Sequence, residues 1–410
     1  MPLLLVVAAF FAFHPAEPFL TQLREGLVAL SRGDAEIAEK HLRAASQMDA
    51  KSGLAWLALA QAQTKQKKNS EALVSARTAF QVGAADSRVL HGLTLFYVEA
   101  GKPEIAADME ARYAALATDD KDAARRAADL YLAARQTKKA IEFGLKAMQV
   151  EDTAHVRNLL GKAYEADGQT DKAVVELQEA IRRNEYEESY YFDLAHVLLQ
   201  HQNFDAAIQL LLASRRIFAT SAQLELALGV AFYGQRRFDE AIGSFLRTIS
   251  IDPRIGQPFV FLGRVLEHAD KRLPEIVQRF RTRAEALPAD FMAQHLLGKA
   301  LALQADAQAE AALRASVALK ADYWESHYEL GLILEKARKF EEAAKELERS
   351  AALHPALPAP HYRLARVYDR LGRSEEAAKE RDLHQKLTAE EKAAMEKHAS
   401  GVKRLELVIK

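Results

Sequence analysis

The chain has 410 residues and a formal net charge of −1, because 56 Lys and Arg residues nearly balance 57 Asp and Glu residues. This balance gives no overall field that would attract nucleic acid or an anionic membrane surface. The sequence contains no cysteine, which excludes disulfides, thiolate nucleophiles, cysteine-ligated metals and a lipid attached to cysteine.

An uninterrupted apolar run, LLLVVAAFFAF, extends from Leu3 to Phe13 and is followed by HPAEP. It is too short to span a bilayer and fits the apolar core of a secretory signal. However, no Lys or Arg precedes it and no Ala-x-Ala cleavage site follows. We expect residues 1–18 to be a signal peptide that exports the protein to a bacterial periplasm or the medium. The alternative is an apolar segment that covers the following helices of a cytoplasmic protein.

From Phe19 onward, apolar and small residues recur with a period of about 34 residues. With Ala241 as the register mark, equivalent alanines are Ala38, Ala72, Ala106, Ala140, Ala173, Ala207, Ala309, Ala343 and Ala377. Each period contains two apolar stripes at helical spacing, separated by a short polar turn. Because a lone helix pair would leave apolar surface in water, the period predicts an all-α solenoid of stacked pairs. The pairs begin near residues 19, 53, 87, 121, 154, 188, 222, 256, 291, 324 and 358.

Three pairs share a Leu-Gly dipeptide, a large residue, the register alanine and a second large residue. These are Leu160-Gly161, Tyr164, Ala173 and Leu177; Leu228-Gly229, Phe232, Ala241 and Phe245; and Leu330-Gly331, Leu334, Ala343 and Leu347. In this pattern the chain resembles tetratricopeptide repeats, over about residues 19 to 391 and eleven units. The resemblance implies a right-handed superhelical solenoid that binds peptide or protein partners.

Two places depart from the regular pattern. The eighth repeat has Ile276 at the alanine position and Pro274 at the start of its second helix, so we interpret it as a distorted repeat within a solenoid over residues 19–387. The sequence from Thr388 to Glu391, TAEE, has the form of a capping box. It predicts a separate capping helix and tail over residues 388–410.

Common catalytic motifs are absent from the sequence. It contains no Gly-x-x-x-x-Gly-Lys-Ser/Thr phosphate loop, no Gly-x-Ser-x-Gly elbow and no His-Glu-x-x-His. Carboxylate pairs such as Glu341-Glu342 lie in the first turns of predicted helices, where they complement the helix dipole. We therefore predict a protein that is not an enzyme and has no cofactor or metal.

In the family that these repeats resemble, the first helix of each repeat lines a concave groove, chiefly through repeat positions five and nine. The resemblance implies these groove residues: Asn158, Lys162, Phe192, His196, Tyr233, Arg264, His295, Lys299, Tyr328, Tyr362 and Arg366. Cations beside aromatic rings suit an extended peptide. In the first repeat, an apolar wall of Leu20, Leu23, Leu27 and Leu30 would bury a partner's hydrophobic side chain or helix. The alternative is that the leucines pack within the fold and the charges are solvated.

The fifth repeat has Asn158 and Lys162 where repeats that clamp a chaperone's C-terminal carboxylate have Lys and then Asn. This reversal argues against a co-chaperone. We expect a scaffold or adaptor in envelope or export-linked assembly, with a protein or peptide partner, no nucleic acid and no stable membrane span. One alternative is a non-catalytic subunit of a glycosyltransferase or polysaccharide-export system. Another is a glycan- or lipid-binding groove that uses Phe192, Tyr233, Tyr328 and Tyr362.

Overall fold

A computed structural model describes residues 18–406 of the chain, with side chains described as far as Glu396. Regular structure in this part of the chain consists of 22 α-helices and two 3₁₀ turns. The all-α fold predicted from the period is confirmed. No helix among the described residues is both long and apolar enough to cross a membrane. Residues 1–17, which hold the predicted signal segment, lie outside the described residues.

The chain divides into two compact bodies, and the boundary lies between Leu210 and Leu211. The N-terminal body contains these helices, of which the last continues past the boundary: α1 (Pro18–Arg32), α2 (Ala35–Met48), α3 (Gly53–Lys65), α4 (Asn69–Gly83), α5 (Ser87–Glu99), α6 (Pro103–Leu116), α7 (Ala123–Ala133), α8 (Thr137–Val150), α9 (Ala154–Ala166), α10 (Thr170–Arg183), α11 (Glu188–Gln200) and α12 (Phe204–Ser214). Successive odd and even helices form repeats 1 to 6.

The C-terminal body contains repeats 7 to 11. Its helices are α13 (Ala222–Gly234), α14 (Phe238–Ile251), α15 (Gln257–Arg264), α16 (Leu273–Ala286), α17 (Phe291–Leu303), α18 (Gln308–Leu319), α19 (Trp324–Lys336), α20 (Phe340–Leu353), α21 (Pro358–Arg370) and α22 (Ser374–Glu406). In both bodies the odd-numbered helix is the first helix of its repeat and the even-numbered helix is the second. Eight of the eleven unit starts predicted from the sequence coincide with the first residue of a first helix.

The Leu-Gly pattern has a direct packing explanation. In repeat 7, a Cβ placed on Gly229 would lie 2.5 Å from a ring carbon of Phe245, which belongs to the second helix of the same repeat and is fully buried. Gly161 faces Leu177 in the same way, also at 2.5 Å. The glycine therefore lets the two helices approach until a large side chain of one lies against the backbone of the other. The register alanines are buried at this contact.

The turns between paired helices repeat one backbone geometry. A residue one or two positions after the end of the first helix has positive φ, as at Gly33 (88°), Gly168 (76°) and Ala305 (56°). The next amide then donates to the carbonyl five residues earlier, as from Asp34 to Ala29 (3.0 Å). This is the Schellman motif, which satisfies the carbonyl groups left free at a helix end. The polar turns predicted from the sequence are therefore helix caps with a defined conformation.

Ion pairs join the second helices of neighbouring repeats. Between repeats 1 and 2, Lys68 Nζ lies 2.7 Å from Glu39, and Arg43 lies 2.6 Å from Glu39 and 3.3 Å from Glu71. The same network recurs between repeats 9 and 10, 271 residues further along the chain (39 to 310). Its members are Glu310, Arg314, Lys339 and Glu342. We call this arrangement the four-residue network.

The eighth repeat is distorted, and the distortion lies mainly in its first helix. Helix α15 has only eight residues and is followed by two 3₁₀ turns, Leu266–His268 and Asp270–Arg272. Ile276 replaces the register alanine and is fully buried. The early end of α15 places Arg264 at a helix terminus instead of inside a helix.

The separate helix predicted from Thr388 is a correction to the sequence interpretation. Helix α22 runs without interruption from Ser374 to Glu406. Thr388 Oγ1 donates to the carbonyl of His384 (2.8 Å), which is a bond within the helix and not a cap. The capping pattern does not start a helix here because no Gly or Pro before it ends the preceding one.

Candidate protein-binding surface

In most repeats, the first helix contacts the first helix of the next repeat in the same body. Polar bridges also join them: Asn158 of α9 reaches Asp193 of α11, and Lys299 of α17 reaches Glu329 of α19. The outward sides of these odd-numbered helices therefore form a shared face in each body, which we call the first-helix surface. Every residue that the resemblance placed in a groove lies on one of these odd-numbered helices.

In the N-terminal body, Asn158 is not available to a ligand. It is buried, and its Nδ2 donates to Asp193 Oδ2 at 2.9 Å. Lys162 is half exposed, with Nζ 3.8 Å from the same carboxylate. Phe192 is partly buried and stacks on the exposed ring of His196, with centroids 6.2 Å apart. Of the predicted residues in this body, Lys162, Phe192 and His196 reach the surface.

His295 is also a core residue, which corrects its assignment to the groove. Only 4% of it is exposed, its Nδ1 lies 3.0 Å from Ser326 Oγ, and its ring stands perpendicular to Tyr323. Burial lowers the pKa of His295 to about 4, and the positive charge of Lys299 acts in the same direction. The imidazole is therefore neutral at physiological pH and links α17 to α19.

The basic residues of this surface are mostly neutralised by acids. Lys299 Nζ lies 3.6 Å from Glu329, whose pKa is raised by burial and is lowered less by the Lys299 ammonium. Arg366 and Arg363 lie 3.3 Å and 3.5 Å from Glu335. A ligand carboxylate would have to compete with these groups, so the expected basic stripe is weaker than the count of cations implies.

On the first-helix surface, the exposed aromatic side chain is that of Tyr362 in repeat 11. Its side chain is 45% exposed, and the guanidinium carbons of Arg363 and Arg366 each lie 5.8 Å from its ring centre. Tyr328, one repeat earlier, is partly buried and packs against the core of repeats 10 and 11. Trp324 lies beside it, with ring centroids 6.4 Å apart.

Arg264 differs from Lys299, Arg363 and Arg366, which each lie beside an acid. It is exposed, and among the described residues no acidic group pairs with it. Its guanidinium carbon lies 5.7 Å from the centre of Phe261, which stacks on buried Phe245 at 5.1 Å and meets Tyr233 edge-on at 5.5 Å. A ring fixed by the core thus holds an unneutralised cation at the end of α15.

The apolar wall expected in repeat 1 is not an exposed surface. Leu23 is buried in a core cluster with Leu42 and Leu59, and Leu27 and Leu30 pack against that cluster. Leu20 is partly buried. Leu23, Leu27 and Leu30 thus join repeat 1 to repeat 2, which is the alternative stated for the leucines above.

Two exposed aliphatic residues on the first-helix surface were missed. Leu95 and Val98 of α5 are 41% and 49% exposed. They occupy positions nine and twelve of repeat 3, so the position rule applied above to the later repeats would have found them. They lie one helical turn apart and form an apolar contact surface in the N-terminal body.

The described residues contain no group of His, Asp and Glu side chains arranged to hold a metal ion.

The family model described as "tetratricopeptide repeat" matches the sequence over residues 23–82, 158–222, 192–258, 292–358 and 328–382. None of the curated proteins compared matches the chain.

Similar solved structures include Naa15/Naa10 bound to HypK-THB (14% identity, TM-score 0.44), covering 90% of this chain and 64% of that chain. Yeast Tom70 (14%, TM-score 0.38) covers 95% and 96%. YrrB, described as a TPR protein with an unusual peptide-binding site (18%, TM-score 0.35), covers 44% and 93%. The chain thus spans less than two thirds of the first of these. These identities and TM-scores are too low to carry an argument about function.

Proposed function

Because the chain belongs to the tetratricopeptide repeat family, we propose that it is a non-enzymatic scaffold that binds an extended segment of a partner protein on the first-helix surface of its C-terminal body. Proteins built from these repeats act as interaction scaffolds in general. The observation that carries the more specific proposal is the free, ring-supported cation of Arg264.

A carboxylate of the partner gains more at Arg264 than at the neighbouring cations. At Lys299 or Arg366 it would displace Glu329 or Glu335 and leave that acid unpaired. At Arg264 no existing pair is lost, and the ring of Phe261 already restricts the side chain. A hydrogen bond to a charged group contributes about 1.5–3 kcal/mol. Arg264 is therefore the proposed anchor for an acidic side chain or chain terminus of the partner.

The test is a binding measurement on the full chain. Partners recovered from the native organism are purified, and their affinities for wild type, Arg264→Ala and Arg254→Ala are compared. Arg254 is a matched control because it is exposed and already pairs with Asp252 at 2.9 Å, in the loop that precedes α15. We expect about tenfold weaker binding with Arg264→Ala and none of this loss with Arg254→Ala. Equal affinity of both variants would reject the anchor.

The glycan-binding alternative predicts a different result. Exposed Tyr362 is the residue that favours it, since an aromatic face can stack on a sugar ring. Glycan binding that survives Arg264→Ala and is lost with Tyr362→Ala would support that alternative. A non-catalytic role beside a glycosyltransferase or polysaccharide exporter would instead show such an enzyme or transporter among the partners recovered.

We also propose that this scaffold is exported and acts in envelope assembly or export. The support is the apolar run from Leu3 to Phe13. N-terminal sequencing of the native protein, combined with cell fractionation, tests this proposal. A cleaved N-terminus in a periplasmic or secreted fraction is expected, and an intact Met1 or Pro2 in a cytoplasmic fraction would reject it.

A further inference from the structure

A pocket of about 350 Å³ opens between two second helices of the N-terminal body, away from the first-helix surface. Its floor consists of Leu194 and Leu198 of α11, both buried. The walls and rim come from α10, α12 and the turn before α12. They are formed by Val174, Gln178, Ile181, Asn203, Ala206, Gln209 and Leu210. No lining residue is ionisable, in a chain of which 28% of the residues are charged.

At two other junctions of the chain, ion-paired side chains occupy the crevice between neighbouring second helices. The four-residue network of repeats 1 and 2 occupies positions 39, 43, 68 and 71. The matching positions between repeats 5 and 6 lie 135 residues further along (39 to 174, 43 to 178, 68 to 203 and 71 to 206). They are Val174, Gln178, Asn203 and Ala206. All four are pocket-lining residues, so the pocket lies where shorter, uncharged side chains replace the network.

We propose that this pocket, here called the second-helix pocket, binds two apolar side chains from an extended, uncharged segment of a partner protein. The proposal is independent of the role given to Arg264. A 150 Å³ apolar cavity accommodates a benzene molecule, so about 350 Å³ has room for two aliphatic side chains. In an extended segment, residues i and i+2 lie on one face and can enter together.

Charge and hydrogen-bonding complementarity favour this occupant. A charged side chain entering the pocket would lose hydration and find no opposite charge among the lining residues. At the rim, the exposed amides of Gln178, Asn203 and Gln209 can both donate and accept hydrogen bonds. An extended segment has unpaired backbone N–H and C=O groups that need such partners, whereas a helix satisfies its own.

The probe is the capped pentapeptide acetyl-Ser-Leu-Ser-Leu-Ser-amide, titrated into the full chain and followed by saturation-transfer NMR. Matched peptides carry Lys or Glu in place of both leucines. We expect saturable binding of the leucine peptide alone. Arg264→Ala should leave this binding unchanged, which separates the pocket from the proposed anchor.

Two variants close the pocket in different ways. The first installs the network through Val174→Glu, Gln178→Arg, Asn203→Lys and Ala206→Glu, and its fold is supported because the same four residues pack at repeats 1 and 2. The second, Ala206→Phe, fills the pocket with one side chain. Each should weaken the leucine peptide at least about tenfold while circular dichroism stays that of the wild type.

Three results would overturn the proposal. They are no saturation transfer from the leucine peptide to the wild type, equal binding of the lysine peptide, or undiminished binding by both folded variants. Saturation of the pocket by octanol without any peptide binding would also overturn it. That result would identify an acyl chain as the occupant.

Discussion

Replacing Glu39 with Gln should destabilise repeats 1 and 2 in a pH-dependent way. Glu39 is 8% exposed and accepts hydrogen bonds from Lys68 (2.7 Å), Arg43 (2.6 Å) and Gln66 (2.8 Å). Glutamine has one carbonyl oxygen and no charge, so Glu39→Gln leaves two cations without their shared partner.

The magnitude follows from the pKa of the carboxyl group. Burial alone would raise the pKa of Glu39, but the hydrogen bonds from Lys68, Arg43 and Gln66 outweigh it and lower the pKa from 4.5 to about 2. This lowering of the pKa corresponds to at most about 3 kcal/mol of folding stability at neutral pH. Because Lys68 and Arg43 are nearly half exposed, solvent screens part of this energy. We expect Glu39→Gln to cost about 2 kcal/mol at pH 7.

The sign of the pH dependence is also determined. The folded pKa lies below the unfolded value, so the contribution of Glu39 is complete above about pH 4.5 and is lost as the pH falls towards 2. Wild type and Glu39→Gln should therefore differ by a constant amount from about pH 7 to about pH 5. The difference should shrink by up to about 1.4 kcal/mol per pH unit below that range.

The two tryptophans of the chain allow a local measurement. Trp56 lies in α3 of repeat 2, where it packs partly buried against the core, and Trp324 lies in α19 of repeat 10. Urea unfolding of the Trp324→Phe variant, followed by fluorescence, therefore reports the N-terminal network. Local readout is needed because a repeat array need not unfold as one cooperative unit. Glu71→Gln is the matched control, since Glu71 is half exposed and contacts Arg43 at 3.3 Å.

Two outcomes would refute this reasoning. One is a loss of less than about 0.5 kcal/mol at pH 7, which is the range of an ordinary surface substitution. The other is a difference that stays constant down to about pH 3.5, which would mean that a lost packing contact and not the carboxylate charge causes the effect.

Three further predictions concern packing, backbone and burial. Gly229→Ala should cost about 2 kcal/mol in chemical denaturation, because its Cβ would lie 2.5 Å from the ring of buried Phe245. Ala305→Gly should raise stability by about 0.5 kcal/mol in the same assay, since relief of its positive φ outweighs the added chain entropy. Fluorescence unfolding through Trp324 should show a loss of stability as the pH falls from about 6.5 to about 4, because His295 must stay neutral in the fold. His295→Asn should remove this dependence.

The sequence predicted the repeats well because their signals are local and periodic. Residues equivalent to Gly229, Ala241 and Phe245 recur at fixed spacing, because the two helices of a repeat pack against each other through the same contact. The last helix shows the limit of such local signals. The pattern at Thr388 has the form of a cap, but a cap starts a helix only where the preceding helix ends, and α22 continues through it.

The candidate surface was predicted less well because the availability of a side chain depends on the next repeat. Asn158 and His295 occupy groove positions, but Asp193 and Ser326, 35 and 31 residues further along, bind them. A position rule for one repeat cannot detect such pairs. Arg264 differs for the complementary reason: it ends the short helix α15 of an irregular repeat, and among the described residues no acid forms an ion pair with it.

The crevices between second helices at repeats 1 and 2, 5 and 6, and 9 and 10 differ in the side chains that fill them. Repeats 1 and 2, and repeats 9 and 10, place four charged residues there and gain charge-assisted hydrogen bonds between helices. Repeats 5 and 6 forgo this stabilisation and leave apolar floor residues beneath an open pocket. An identical network would fit the same backbone positions, so the open crevice is not imposed by the repeat geometry. The repeat geometry thus permits either a closed or an open crevice, and an uncharged crevice with an apolar floor is suited to a ligand.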